Sequence, residues 1–221
     1  MSVKARELPL PGLSAFCNPP MKISRLALPI LALTCLTAPA RAQSAEAIFA
    51  GGCFWGVQWV FEHVRGVTAV VSGYSGGTVA NPTYELVGTG TTGHAESVRV
   101  TYDPAVVSYR QLLEVFFRVA HDPTTRDRQG PDIGSDYRAI VFARDSAQLQ
   151  EVAAYVAELS SRRVFPAPIV TALRLHQPFY PAESYHQRYA ALHPNDPYIA
   201  INDVPKIHNL QKQFPSLFRN P

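Results

Sequence analysis

The alternation of hydrophobic and polar positions predicts a series of strands and helices. An apolar run over residues 47–50 precedes two glycines, and apolar residues then recur at helical spacing up to Val64. A β-branched run over 67–74 predicts a second strand, and alternation over 97–102 predicts a third strand with one buried face. This pattern places Cys53 at the start of the first helix, directly after the first strand.

The second half of the chain predicts two further helices and two further strands. Ser108 stands where an N-cap is expected for a helix through Phe117, and Ser146 does so for a helix up to Leu159. Strands are predicted over 137–143 and 169–175. The other segments are predicted as two long polar loops, one short helix and an extended C-terminal tail: 75–93, 121–136, 183–192 and 198–221.

The order of these elements predicts an α+β fold. A βαββαβ run indicates an antiparallel or mixed sheet with helices on one face, that is, a ferredoxin-like α/β plait. This two-layer sandwich would carry long loops and the extended tail. A length of 221 residues with 47% hydrophobic residues can bury one substantial core. We therefore predict one catalytic domain over 43–197, followed by the tail over 198–221.

Residues 1–42 have the composition of a leader. A basic segment starts at Met21, an apolar run follows over 26–36, and Ala40 and Ala42 are small residues at the positions that a signal peptidase reads. The apolar run is too short for a stable membrane anchor. We predict an N-terminal extension and a secretory signal that is cleaved after Ala42, with Met21 as the alternative start.

The leader contributes five basic residues and one acidic residue, so the formal charge of +3 becomes −1 without it. Without it, acidic and basic residues are nearly balanced, which argues against a nucleic-acid-binding protein.

Cys53 is the candidate reactive residue. Cys17 and Cys35 lie in the leader, so residues 43–221 contain a single cysteine and no intramolecular disulfide can form within them. Free N–H groups and the positive end of the helix dipole would favour its thiolate. The alternative is an inert buried cysteine, which is the common state of a lone cysteine.

Other candidate residues accompany Cys53, each with a structural alternative. Trp55 lies off the apolar stripe and could line a pocket, whereas Phe54 begins that stripe. Glu96 lies at the junction between the first long loop and the strand over 97–102, and it could act as an acid if burial raises its pKa, although most glutamates are solvated. His94 is equally consistent with a base and with a structural role. Four residues could hold a polar substrate or support a site: Tyr84, Tyr137, Asp132 and His186. No ligand spacing typical of a metal site is present, so no metal is predicted.

Five sequence blocks together resemble the signature of the peptide methionine sulfoxide reductase A family. They occur in the family's order and span the predicted domain: Gly52-Cys53-Phe54-Trp55-Gly56, Gly73-Tyr74-Ser75-Gly76-Gly77, Asn81-Pro82-Thr83-Tyr84, Gly93-His94-Ala95-Glu96 and Gly134-Ser135-Asp136-Tyr137-Arg138. The ordered set is far more specific than any one block. A further motif over 200–206 resembles one branch of the family.

The resemblance implies a role for each site residue. Cys53 would attack the sulfur of an S-configured methionine sulfoxide, and Glu96 would protonate or hydrogen-bond its oxygen. Tyr84 and Tyr137 would hold that oxygen. The methyl group would lie against Phe54 and Trp55, and the substrate backbone against Asp132. The products would be methionine and a sulfenic acid on Cys53.

The sequence departs from the commonest family pattern because its C-terminal segment has no second cysteine. An external thiol such as thioredoxin, glutaredoxin or a small thiol would then recycle the sulfenic acid, and no cofactor is expected. The partners would be oxidised proteins and peptides, with no nucleic acid and no membrane after signal cleavage. We predict a monomer that is secreted, into a bacterial periplasm.

Three other functions fit parts of the sequence. A thiol-based peroxidase or redox sensor would use Cys53 but would need no aromatic pocket for a methyl group. A module that binds methionine-rich segments without turnover would keep its function after Cys53→Ser. A cysteine–histidine hydrolase is weaker, because neither His94 nor His186 has an evident Asn or Asp partner.

Overall fold

The computed structural model describes residues 44–221, so the predicted leader and its cleavage site lie outside the described residues. Eight strands and seven α-helices are assigned there. The strands are β1 (Ala45–Ala50), β2 (Val67–Ser75), β3 (Ala95–Tyr102), β4 (Arg128–Gln129), β5 (Asp132–Ile133), β6 (Ile140–Ala143), β7 (Ala172–Leu175) and β8 (Phe179–Pro181). The helices are α1 (Phe54–Glu62), α2 (Tyr84–Gly88), α3 (Tyr109–Val115), α4 (Ser146–Ser161), α5 (Tyr189–Leu192), α6 (Pro197–Asn202) and α7 (Val204–Gln213).

Six strands form one sheet in the order β7-β6-β1-β3-β2-β8. The pairings are antiparallel except for the parallel pair β6–β7. The strands β4 and β5 form a separate two-stranded hairpin. The predicted mixture of helices and strands is confirmed as a mixed α/β fold.

Alternate residues of β1 enter the cores on the two faces of the sheet. Ala47 and Phe49 belong to the larger core, which the helices cover, and Phe49 stacks on Phe61 of α1 and on Phe116. Ile48 and Ala50 belong to a smaller core on the opposite face. Because a strand exposes alternate side chains to opposite faces, burial on both faces explains the continuous apolar run.

Local capping sets the start of α3 and of α4. The predicted N-cap at Ser108 is confirmed, since its side chain accepts a hydrogen bond from the backbone N–H of Gln111 and forms a capping box with that residue. The N-cap of α4 is Asp145 rather than Ser146, and its carboxylate accepts a hydrogen bond from the N–H of Gln148 at 2.9 Å. The helix therefore begins one residue earlier than predicted.

The predicted extended tail over 198–221 is wrong. Residues 197–213 form α6 and α7, and Ile199, Leu210 and Leu217 are buried. Both helices have a proline in the first turn, where it interrupts no helical hydrogen bond. Pro197 and Pro205 therefore mark helix starts and not an extended chain.

The predicted loops also contain short elements. Helix α2 lies within 75–93, and the β4–β5 hairpin lies within 121–136. The predicted strands over 137–143 and 169–175 begin later, at Ile140 and Ala172. No helix within residues 44–221 is long and apolar enough to cross a membrane.

Candidate active site

Cys53 lies at the N-terminus of α1, where a tight turn follows β1. Gly52 has a φ of +87°, which favours glycine, and a Cβ at this position would also overlap the side chain of Gln129. Cys53 is partly exposed, and its sulfur is hydrogen-bonded by the backbone N–H of Trp55 and by the phenol of Tyr198. The turn thus places the thiol at the end of the helix, as the sequence predicts.

The expected preference for a thiolate is wrong. The protein around Cys53 removes water from the sulfur and raises the pKa of the thiol well above its ordinary value. The nearby carboxyl groups of Glu96 and Asp203 raise this pKa further. The hydrogen bond from the N–H of Trp55 and the hydrogen-bonding contact with the phenol oxygen of Tyr198 lower it by less. In the free protein the sulfur is therefore held as a neutral thiol.

Glu96 is the second residue of β3 and is only 3% exposed. Its Oε2 accepts a hydrogen bond from the backbone N–H of Phe54 at 2.9 Å, which ties the carboxyl group to the residue after Cys53. Burial raises the pKa of Glu96 to about 8, partly offset by this hydrogen bond. Glu96 is therefore largely protonated at neutral pH, as an acid catalyst requires.

Tyr84 and Tyr137 lie close enough to Glu96 for its charge to affect both phenols. Burial raises the pKa of Tyr84 to about 12, and the charge of Glu96 contributes to the increase. The pKa of Tyr137 is raised by burial and then by Glu96. Both phenols keep their protons at neutral pH and can donate hydrogen bonds.

Two side chains connect the loops that carry these groups. Glu183 accepts hydrogen bonds from the N–H of Tyr84 at 3.0 Å and from the phenol of Tyr74 at 2.8 Å. Arg138 donates to the carbonyl oxygens of Gly93 and His94, at 2.7 and 3.1 Å.

His94 is structural in this fold. Its Nδ1 accepts a hydrogen bond from the N–H of Gly77 at 3.1 Å, and its Nε2 lies 2.8 Å from the carbonyl oxygen of Val79. The two partners use both ring nitrogens and hold the preceding loop, so His94 has no free nitrogen to act as a base.

Aromatic rings surround the first turn of α1. Phe54 is buried against Tyr74 and His186, whereas Trp55 is partly exposed and stacks on Tyr189 with 4.0 Å between ring centroids. The indole N–H of Trp55 donates to Nδ1 of His186 at 3.2 Å. His186 therefore supports the site by orienting Trp55.

Asp132 is connected to Cys53 through Tyr198 of the C-terminal segment. The phenol of Tyr198 donates to Oδ2 of Asp132 and is also hydrogen-bonded to the sulfur of Cys53. A hydroxyl group of α6 thus bridges the predicted nucleophile and the predicted substrate-binding carboxylate. Sequence reasoning missed Tyr198 because it placed the residue in an extended tail.

Asp203 and Lys206 are also functional candidates that the sequence analysis missed. Asp203 is fully buried against the first turn of α1, and a Cβ on Gly56 would overlap its Oδ1. Lys206 donates to this Oδ1 at 3.0 Å, while Oδ2 has no hydrogen-bond partner among residues 44–221. The motif over 200–206 was the available signal, since it carries both residues.

A cavity of about 240 Å³ opens beside Cys53. Its lining includes Asp122, Asp132, Tyr198, Asn202 and Lys206, and none of the residues Phe54, Trp55, Tyr84, Glu96 or Tyr137. The polar cavity thus shares Cys53 with the acid and its phenols, and none of those groups lines it. The part of the chain that the structure describes contains no cluster of three or more His, Cys, Asp or Glu residues suited to a metal ion.

The structure brings all seven predicted site residues into one region. Hydrogen bonds or electrostatic contacts connect Cys53 with Glu96, Tyr84, Tyr137 and Asp132, and Phe54 and Trp55 form the adjoining first turn of α1. The arrangement combines a nucleophilic sulfur, a neutral carboxylic acid and two phenol donors.

Comparison with known proteins agrees with this chemistry. A family model described as peptide methionine sulfoxide reductase matches residues 45–217. A reductase named MsrA 2 from Mesorhizobium japonicum is 54% identical over 175 residues, which cover 79% of this chain and 90% of that protein. MsrA from Thermus thermophilus is 48% identical over 173 residues, or 78% of this chain and 97% of that protein.

Solved structures show the same similarity. Reduced Mxr1 from Saccharomyces cerevisiae has a TM-score of 0.63 and 32% identity, covering 71% of this chain and 90% of that one. MsrA of Corynebacterium diphtheriae has a TM-score of 0.61 and 32% identity, covering 70% and 77%. The chain belongs to the peptide methionine sulfoxide reductase A family, and its activity is the reduction of methionine sulfoxide.

Proposed function

We propose that Cys53 reduces the S epimer of methionine sulfoxide with Glu96 as the acid. The observation that carries this assignment is the buried, neutral carboxyl group of Glu96, which is hydrogen-bonded to the backbone of Phe54, the residue after Cys53. One carboxyl oxygen accepts from Phe54, which leaves the other to hold the proton. The sulfoxide oxygen is a poor leaving group unless it is protonated, and a protonated acid beside the nucleophile can supply that proton.

The proposed reaction transfers two electrons from the sulfur of Cys53 to the sulfoxide sulfur. Glu96 protonates the sulfoxide oxygen, while Tyr84 and Tyr137 hold that oxygen by hydrogen bonds. The sulfur of Cys53 attacks the sulfoxide sulfur, a transient sulfur–sulfur bond forms, and the thiol proton passes to Glu96, which replaces the proton it gave to the oxygen. The sulfur–oxygen bond of the sulfoxide then breaks as the oxygen transfers to Cys53, and the sulfur–sulfur bond breaks to release methionine and leave a sulfenic acid on Cys53. Trp55 contributes an apolar surface for the methyl group, and Asp132 accepts from the substrate backbone in place of Tyr198.

A single turnover without reductant tests this mechanism. Residues 43–221 are mixed with a peptide that contains one epimer of methionine sulfoxide, and methionine and the mass of Cys53 are measured. We expect about one methionine per Cys53 from the S epimer only, with a sulfenic acid on Cys53. Absence of methionine from both epimers, with Cys53 still oxidised by peroxide, would instead support the peroxidase or sensor.

We further propose that an external thiol regenerates Cys53, since residues 44–221 contain no second cysteine. Thioredoxin, glutaredoxin and a small thiol remain the candidate reductants. The leader supports export to a bacterial periplasm, where the enzyme would repair oxidised methionines as a monomer. N-terminal sequencing of exported protein tests cleavage after Ala42, and sedimentation tests the monomer.

We also infer that the core is the predicted ferredoxin-like plait. The strand order β6-β1-β3-β2, with antiparallel neighbours, supports this inference because it is the order that two βαβ halves produce. The strands β7 and β8 would then be additions at the two edges.

A further inference from the structure

We propose that the cavity beside Cys53 binds the thiol that regenerates the enzyme, and that this thiol is a small molecule carrying an ammonium group. The inference rests on the proposed sulfoxide reduction, because it concerns the sulfenic acid which that reaction leaves. A second thiol must reach the sulfur of Cys53. The cavity gives it a route that avoids Glu96, Tyr84 and Tyr137. Asp132, which holds the substrate backbone in the first step, also lines the cavity and is released when methionine leaves.

The size of the cavity limits the ligand. A volume of about 240 Å³ corresponds to roughly eight water molecules at ~30 Å³ each. An aminothiol with four to seven non-hydrogen atoms fits this space, whereas a tripeptide thiol would extend out of it. The thiol group would face Cys53, and the other end would lie towards Asn202.

The charge of the lining favours an ammonium group. Asp122 and Asp132 contribute carboxylates, and the ammonium of Lys206 is already paired with the buried Asp203. His121 is neutral, because burial lowers its pKa to about 4. An anionic thiol would therefore meet more negative than positive charge.

The lining includes two side-chain oxygens that no hydrogen bond among residues 44–221 occupies. One N–H of the Asn202 side chain donates to the carbonyl oxygen of Tyr198, and Oδ1 of Asn202 is the first of these oxygens. Asp132 uses Oδ2 for Tyr198, and no hydrogen bond among residues 44–221 occupies its Oδ1. Both oxygens can accept from an ammonium group, which has three donors.

The recycling chemistry needs two molecules of the thiol. The sulfur of the first attacks Cys53, an S–S bond forms, the S–O bond breaks, and the oxygen leaves as water after gaining a proton. The second thiol attacks the mixed disulfide. The thiol of Cys53 is restored, and the two small thiols leave as their disulfide.

Charge-matched thiols test the proposal on the unmodified enzyme. Sulfenic acid is first formed by one turnover with excess S-sulfoxide. Failure to form it would contradict the proposed function, whereas the inference is tested only by the thiol step that follows. Cysteamine, 2-mercaptoethanol and 2-mercaptoethanesulfonate are then added, and mixed-disulfide formation is followed by mass at equal thiolate concentration. We expect a saturating rate with cysteamine that is about tenfold above that with the sulfonate, with the difference smaller in high salt. Equal, non-saturating rates for all three would overturn the inference.

A pair of variants on α6 locates the binding site. Asn202→Phe fills the cavity, and Ile201→Phe is its control because Ile201 is 72% exposed and does not line the cavity. Asn202→Phe should slow recycling by cysteamine at least tenfold and leave sulfoxide reduction in a single turnover unchanged, while the control changes neither. Equal slowing of both steps by Asn202→Phe, or no effect on recycling, would contradict a separate thiol site.

Discussion

Glu96 and Cys53 occupy one poorly hydrated environment, in which the charge of Glu96 disfavours ionisation of Cys53. Burial raises both pKa values, and the charge of Glu96 raises that of Cys53 further. Two negative charges so close together in a poorly hydrated site are unfavourable, so both groups stay protonated in the absence of substrate. The sulfoxide oxygen can accept a proton, and its binding therefore allows the sulfur to become nucleophilic.

Replacing Glu96 by glutamine should remove the acid while keeping a group of similar size. Glutamine cannot transfer a proton, so the single-turnover rate should fall by roughly two to four powers of ten. In the wild type this rate should also decline above pH 8, where Glu96 loses its proton. The variant should lack that decline. Stopped-flow or quenched measurements from pH 6 to 10 provide the comparison, and near-normal rates in the variant would exclude Glu96 as the acid.

Trp55 should contribute to capture of the substrate. Trp55→Ala removes the ring that stacks on Tyr189, and we expect the apparent affinity for a sulfoxide peptide to weaken by about 1–3 kcal/mol. Trp55→Phe is the matched control, because it keeps an apolar ring and loses only the hydrogen bond to His186. An unchanged affinity in Trp55→Ala would place the methyl pocket elsewhere.

At the residue scale, the sequence indicated the identities of the site residues better than their ionisation states. The blocks around Cys53, Tyr84, Glu96 and Tyr137 were visible because each is short and local. The direction in which the pKa of Cys53 is shifted was not visible in the sequence. It depends on desolvation and on Asp203, which is 150 positions away in the chain. Helix-terminal effects alone predicted the opposite direction.

The C-terminal helices are the element whose structure differs most from expectation. Ile199, Asp203, Ile207 and Leu210 recur at helical spacing and are buried. Asp196 caps α6 by accepting from the N–H of Tyr198 at 2.8 Å, with Pro197 next to it. These helix-start signals were present in the sequence, but the number of prolines and aromatic residues concealed them.

Docking of this element should depend on the absence of a side chain at Gly56. Gly56→Ala would place a methyl group against the carboxylate of Asp203, and we expect the free energy of unfolding to fall by about 1–3 kcal/mol. Limited proteolysis after residue 196 should become faster. Gly88→Ala is the control, since no heavy atom lies within 4 Å of its added Cβ and alanine favours helices. Equal stability of the two variants in urea unfolding would disprove this packing.

Across the whole molecule, the burial of Glu96 should make stability depend on pH. Its pKa is about 8 in the folded protein and about 4.3 in an unfolded chain. Between these values the folded state binds more protons, so this residue lowers stability progressively as pH rises from about 4 to 8. Glu96→Gln should therefore melt at a higher temperature than wild type at pH 8.5, and the difference should shrink at pH 5. Calorimetry at both values measures this, and a difference independent of pH would contradict the assigned pKa.

The overall arrangement followed from the sequence where periodicity was strong. The alternation of β3 correctly predicted that Val98, Val100 and Tyr102 share a buried face. The strand β8 was not predicted, because its three residues include a proline and lie among irregular segments. Its place beside β2 is set by tertiary contacts such as the hydrogen bond from Ser75 to the carbonyl of Pro178.

The raised pKa of Cys53 has a consequence for an enzyme that works among oxidants. Peroxides react with thiolates much faster than with thiols, and irreversible overoxidation begins from the same sulfur. A cysteine that stays protonated in the empty site is a poor scavenger, so bystander oxidants consume little of it between encounters with its substrate. The features that raise the pKa of Cys53 therefore also make the enzyme chemically selective, because the sulfur becomes reactive only with a molecule that can accept a proton in the site.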